Sequence, residues 1–121
     1  MKDYKEMEVW KESRKLVQLV YGATKRFPKE GMFGLTAQSR DAVISQFANL
    51  SEGIGRRYKK ETLHFLSHSR GSLYELDSEM IAALDQKYLE KPEYDILLNQ
   101  IQLVIRLLNG TITYFQNSKL P

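Results

Sequence analysis

Two groups of residues in this chain have types and spacing suited to chemistry. The first is Glu61, His64 and His68. The two histidines are four apart and so share one face of a helix, and Glu61-Thr62-Leu63-His64 matches a Glu-x-x-His metal-binding element. A di-iron bundle needs two such elements plus carboxylates from other helices. These are the only histidines in the chain, so the second element is missing. No Glu follows the first His, so the zincin pattern fails too. The expectation is surface or edge histidines, with no metal and no cofactor. The second group is Arg56-Arg57-Tyr58-Lys59-Lys60, a dense basic turn around one aromatic. Arg and Lys hold phosphates, and a tyrosine stacks a base. A turn of this kind is otherwise a solvated surface that keeps a protein soluble. The five residues are the candidate nucleic-acid contacts.

Nucleophilic catalysis has no support. The chain has no cysteine, hence neither a disulfide framework nor a thiolate metal site. There is no Gly-x-Ser-x-Gly elbow, no phosphate loop and no dinucleotide fingerprint. Glu75, Asp77 and Glu79 are close in sequence but spread around a helix, as a solvated face or as partners of basic residues. The expectation is a non-enzymatic protein. No apolar run is long enough for a bilayer and the first residues lack a signal-peptide core, so no membrane is expected and the default location is the cytoplasm.

The elements that position these groups follow from apolar spacing. At 121 residues the chain reads as one domain over 1–121, with 42% hydrophobic and 27% charged residues and a net charge of +3. Apolar residues recur at three- and four-residue steps rather than alternating. One helix carries Trp10, Ser13, Val17, Val20, Thr24 and Phe27, widened by Leu16, Leu19 and Ala23, with Pro28 expected to end it. A loop with Gly31 and Gly34 follows. The second helix starts near Leu35 with the stripe Val43, Phe47, Leu50 and Ile54, and Gly53 and Gly55 are expected to end it through positive φ. The third begins near Lys59 to Thr62 and carries Leu63, Leu66, Leu73, Leu76, Met80 and Leu84. The fourth opens at Pro92, which suits a first turn, and runs through Leu97, Leu98, Ile101, Val104, Ile105, Leu108, Ile112 and Phe115.

Four amphipathic helices with short connections predict an all-α, antiparallel up-down-up-down four-helix bundle. That topology puts the basic turn at the end that holds both chain tips. Lys2, Lys5, Arg56, Arg57, Lys59, Lys60 and Lys119 gather there against Asp3, Glu6, Glu8 and Glu61. At the opposite end Lys25, Arg26, Lys29, Lys87 and Lys91 are balanced by Glu30, Asp85, Glu90, Glu93 and Asp95.

A further set is Ser45, Asn49 and Glu52 on the second helix with Ser69, Gly71 and Ser72 on the third. Asn49 and Glu52 either cap and face water, or line a helix–helix or subunit contact with the others. The contact is favoured, because a mid-helix glycine costs about 1 kcal/mol and wants a packing reason. Tyr4, Trp10, Tyr21, Phe33, Tyr58, Phe65, Tyr74, Tyr94 and Tyr114 cannot all fit one thin core, which also points to assembly.

Three ordered blocks carry a resemblance to a known family. The first is Val9, Trp10, Ser13, Leu16, Val20 and Tyr21. The second runs from Val43 to Gly53, Val-Ile-Ser-Gln-Phe-Ala-Asn-Leu-Ser-Glu-Gly, followed by Gly55, Arg56, Arg57, Lys59 and Lys60. The third is Phe65-Leu66 with Gly71-Ser72-Leu73-Tyr74-Glu75-Leu76. Over roughly residues 7–115 the chain resembles the small bacterial four-helix bundle proteins encoded in intervening sequences of 23S rRNA genes. It departs from their pattern at Gln46 and Phe47, where Ile and Pro are usual, at Tyr58, where a small helix cap is usual, and at Asp41, where a basic residue is usual. The resemblance implies a left-handed up-and-down bundle in a homopentameric ring. It also implies similarity to accessory proteins of diversity-generating retroelements, which bind nucleic acid and a reverse transcriptase. The family has no catalytic residues to carry over. The expected partners are further copies of the chain, RNA or DNA, and a reverse transcriptase or other protein. The competing expectation is an interaction scaffold that meets an acidic protein and no nucleic acid.

Overall fold

The computed structural model describes residues 3–29 and 34–121. It has four helices, α1 (Glu8–Thr24), α2 (Leu35–Ile54), α3 (Lys59–Asp85) and α4 (Lys91–Gln116), preceded by a short 3-10 turn over Tyr4–Glu6. There is no strand among the described residues. The loop glycine Gly31 and the residues Lys2, Glu30 and Phe33 lie outside them.

The helices surround one core that includes Leu16, Val20, Val43, Leu50, Leu66, Leu73, Leu76, Met80, Ile101, Val104 and Leu108. Full burial of such a side chain stabilises the fold by roughly 1.5–3 kcal/mol. Each helix packs on two neighbours, α1 on α2 and α4, α3 on α2 and α4. Polar bridges mark the seams. Arg40 Nε donates to Thr24 Oγ1, Gln46 Nε2 to Ser13 Oγ, and Trp10 Nε1 to Ser51 Oγ. Ser69 Oγ donates to the Gln46 carbonyl at 2.7 Å. Arg70 Nη1 donates to Asn109 Oδ1, Gln100 Nε2 to the Glu12 carbonyl, and Arg26 pairs with Glu93.

Several local expectations need correction. Helix α1 ends at Thr24, four residues before Pro28. The N–H groups of Arg26 and Phe27 bond back to Ala23 and Thr24, a tightened turn that folds Phe27 into the core against Tyr88. Neither Gly53 nor Gly55 uses positive φ: Gly53 is helical, and Gly55 sits at φ −78°. Gly53 instead permits close approach. A Cβ there would lie 3.0 Å from Phe65 Cβ and 3.2 Å from the Thr62 carbonyl, so α2 and α3 could not meet as they do. The positive φ, 64°, falls on Lys87, where α3 turns toward α4. On α2, Gln46 rather than Phe47 takes the core position and is fully buried, while Phe47 lies half-buried against Trp10 with ring centroids 5.2 Å apart.

Candidate functional site

The basic turn connects α2 to α3, and its residues divide by what they touch. Arg56 is held inside the protein's own surface. It pairs with Glu52 and Glu61, and its guanidinium lies 4.8 Å from the Phe65 ring centre. Lys59 is also committed. Its N–H donates to the Pro121 oxygen at 2.9 Å, and its Nζ donates to the Gln116 carbonyl at 3.2 Å. The second bond satisfies a carbonyl that the last turn of α4 leaves open. Arg57 and Lys60 are exposed and make no bond to any described residue. Tyr58 stands between them, 57% exposed.

The turn opens onto a groove of about 860 Å³. Its lining joins Met7, Glu8 and Val9 at the start of α1, Ile54 and Arg56 at the end of α2, residues on one face of α4 between Arg106 and Phe115, and Ser118 to Pro121 from the tail. So the turn, the start of α1 and the tail meet at one end of the molecule. Arg57, Lys60, Arg106 and Lys119 are exposed cations there that make no ion pair with a described residue. At the other end, Arg26 is paired with Glu93 and Lys91 with Asp95.

Of the groove's lining, Arg56, Glu8 and Lys119 stood out in the sequence as part of the charged end, whereas Arg106 and Gly110 did not. A signal existed: Gly110 is a mid-helix glycine, as Gly71 is.

The second set divides similarly. Ser69 is buried between α2 and α3. Ser72 Oγ donates to Ser45 Oγ at 3.0 Å across the same seam, and Asn49 Nδ2 donates to the Ser45 carbonyl at 2.8 Å. Glu52 is exposed and serves Arg56. Gly71 is exposed, and a Cβ there would meet nothing within 4 Å. No contact among the described residues explains that glycine. Tyr74 and Ile81 on α3 are also exposed, as is Ile44 on α2.

His64 and His68 are exposed, with ring centroids 4.5 Å apart. Among the described residues, no group of three or more His, Cys, Asp or Glu is placed to hold a metal ion. Glu79 is more perturbed than its sequence context suggests. Burial first, then the charges of Glu75 and Asp41, push its carboxyl up to about 7. Its Oε1 is buried without a hydrogen-bond partner among the described residues. No helix of the described residues is long and apolar enough to cross a membrane.

The comparisons agree with the architecture. A family model described as 23S rRNA-intervening sequence protein matches residues 5–110. A crystal structure of a protein of unknown function from the S23 ribosomal protein family of Bacteroides thetaiotaomicron superposes with a TM-score of 0.79 at 17% identity, covering 86% of this chain and 97% of that one. At that identity the likeness concerns the fold. A search of curated proteins found no match. Neither description names an enzymatic activity.

Proposed function

We propose that this chain, which belongs to the 23S rRNA-intervening sequence protein family, is a non-enzymatic oligomeric protein that binds an RNA or DNA backbone through its basic end. The observation that carries this reading is the pair of cations, Arg57 and Lys60, that have no partner among the described residues and stand on either side of the exposed Tyr58. Charges already neutralised by carboxylates add little to phosphate binding, whereas free ones release counterions when they meet phosphates. Lys119 and Arg106 extend the same field past the turn.

In this reading the helices alternate in direction as an up-down-up-down bundle. The seam contacts support it, since partner numbers fall on one helix as they rise on the next: Ser13 with Gln46 and Thr24 with Arg40, Lys59 with Gln116 and Arg70 with Asn109. The bundle assembles into a homopentamer, the ring size being the one the family resemblance implies. Gly71, Tyr74 and Ile81 on α3, with Ile44 on α2, offer an exposed surface for subunit contact. A ring repeats the basic end around one rim and gains avidity without new contacts per subunit. The site of action is the cytoplasm, and a reverse transcriptase is the protein partner the resemblance implies.

Fluorescence anisotropy with a structured RNA tests the reading, comparing wild type with the Arg57→Ala/Lys60→Ala variant. Weaker binding by the variant supports it. Equal affinities, or no RNA binding by either at low salt, refute it, and selective capture of an acidic protein with no RNA binding would replace it with a scaffold role.

A further inference from the structure

We infer that the groove beside the basic turn receives an unpaired nucleobase, so that the protein prefers single-stranded nucleic acid to duplex. This rests on the nucleic-acid reading above. The groove's volume, about 860 Å³, falls in the range of small-ligand sites. Its lining is mainly apolar, built from Met7, Val9, Ile54, Leu107, Phe115 and Leu120. Two cations with no ion pair to a described residue, Arg106 and Lys119, line it as well, beside Arg56, which Glu52 and Glu61 already hold, and Glu8 is the one acid among its lining residues. An occupant therefore needs an apolar part and an anionic part. A nucleotide supplies both.

Two details favour a base over an acidic peptide. Tyr114 lines the groove, is 66% exposed, and meets Phe115 edge-to-face with centroids 5.1 Å apart. It offers a free aromatic face on which a base can stack. Arg56 belongs both to the groove lining and to the basic turn. A strand whose phosphates follow Arg57 and Lys60 therefore runs past the groove mouth. A base held in a duplex is paired and stacked, and cannot enter without being extruded.

Gly110 explains how the groove stays open. It lies on α4 in the groove lining, is exposed, and a Cβ there would meet nothing within 4 Å. Nothing among the described residues requires glycine at this position, and glycine weakens a helix interior relative to alanine. The groove's aliphatic hydroxyls are already engaged. Thr111 Oγ1 already donates to the Leu107 carbonyl, and Ser118 Oγ to the Phe115 carbonyl. Base identity should matter little.

The test is anisotropy with a labelled polyuridine oligonucleotide, a blunt RNA duplex of equal length, and an acidic helical peptide. The proteins are wild type, Gly110→Leu and Tyr114→Ala, with thermal melts confirming that each variant folds. The expected result is single-strand binding at least about tenfold tighter than duplex in wild type, the scale of one stacked base. Both variants should lose that preference while keeping duplex affinity. Equal wild-type affinity for the two RNAs, or a preference that survives in both variants, overturns the inference, while the nucleic-acid reading stands if Arg57→Ala/Lys60→Ala still weakens RNA binding. Binding of the peptide alone, abolished in Gly110→Leu, overturns both.

Discussion

The backbone N–H of Lys59 donates to the oxygen of Pro121 at 2.9 Å, which ties the start of α3 to the tail that follows α4. The side chain of Lys59 reinforces the tie through the Gln116 carbonyl. A cation at a helix C-terminus contributes roughly 0.3–1 kcal/mol. Lys59→Ala should therefore lower stability by about that amount in urea unfolding. Arg57→Ala, on an exposed side chain with no described partner, should change it by less than about 0.5 kcal/mol. Two neighbouring basic residues thus differ, Lys59 being tied to the tail and Arg57 exposed with no described partner.

Gly53 and Gly71 should respond oppositely to alanine. At Gly53 the new methyl would press on Phe65, Leu66 and the Thr62 carbonyl, so Gly53→Ala should cost about 1–3 kcal/mol. At Gly71 the methyl meets open space, and Gly71→Ala should stabilise the isolated subunit by about 0.5–1 kcal/mol. In the proposed ring that face is covered, so the same variant should sediment as smaller species. Unchanged assembly would move the subunit contact elsewhere.

Gln46 is fully buried with its Oε1 unpaired, while its amide N–H group donates to Ser13 Oγ at 2.9 Å. Ser13 and Ser69 keep backbone acceptors of their own, Val9 and residue 46, whatever side chain occupies that position. Gln46→Leu should therefore leave stability unchanged or raise it by about 1 kcal/mol, since it removes an unsatisfied acceptor at similar volume. Gln46→Ala should lower it by about 2 kcal/mol or more through the cavity it leaves. Chemical denaturation of both variants distinguishes the two effects.

Glu79 gives the fold a pH dependence of definite sign. Its carboxyl holds a proton up to about pH 7 in the folded protein and releases it near the ordinary value of 4.5 when unfolded. The folded state binds the extra proton, so this contribution is fully present below 4.5 and is lost as pH rises to about 7. Glu79→Gln should stabilise the protein at about pH 8, by about 1 kcal/mol after allowance for partial exposure, and have little effect at about pH 4. Thermal melts at the two pH values check this.

Apolar spacing was enough to predict four helices because each one buries a single stripe. The start of α3 at Lys59 falls within the expected Lys59–Thr62 window, and the place of Pro92 in the first turn of α4 follows from local chemistry. What could not be read was set by neighbours. Gln46 and Phe47 are adjacent, and which of them turns inward depends on Ser13 and Ser69 from two other helices. The role of Gly53 depends on how near Phe65 comes. The basic turn was visible as a run of charge, but its division into committed Arg56 and Lys59 and, among the described residues, unpartnered Arg57 and Lys60 rests on Glu52, Glu61 and Gln116, which only the folded arrangement brings to them.

The most direct test of the central claim is a salt titration of RNA binding for wild type and Arg57→Ala/Lys60→Ala. If the free cations of the basic end hold phosphates, log K should fall linearly with log salt, and the variant's slope should be shallower by roughly 0.7 for each lost contact to a single strand. Wild-type binding that is indifferent to salt, or an identical slope in the variant, would contradict the account.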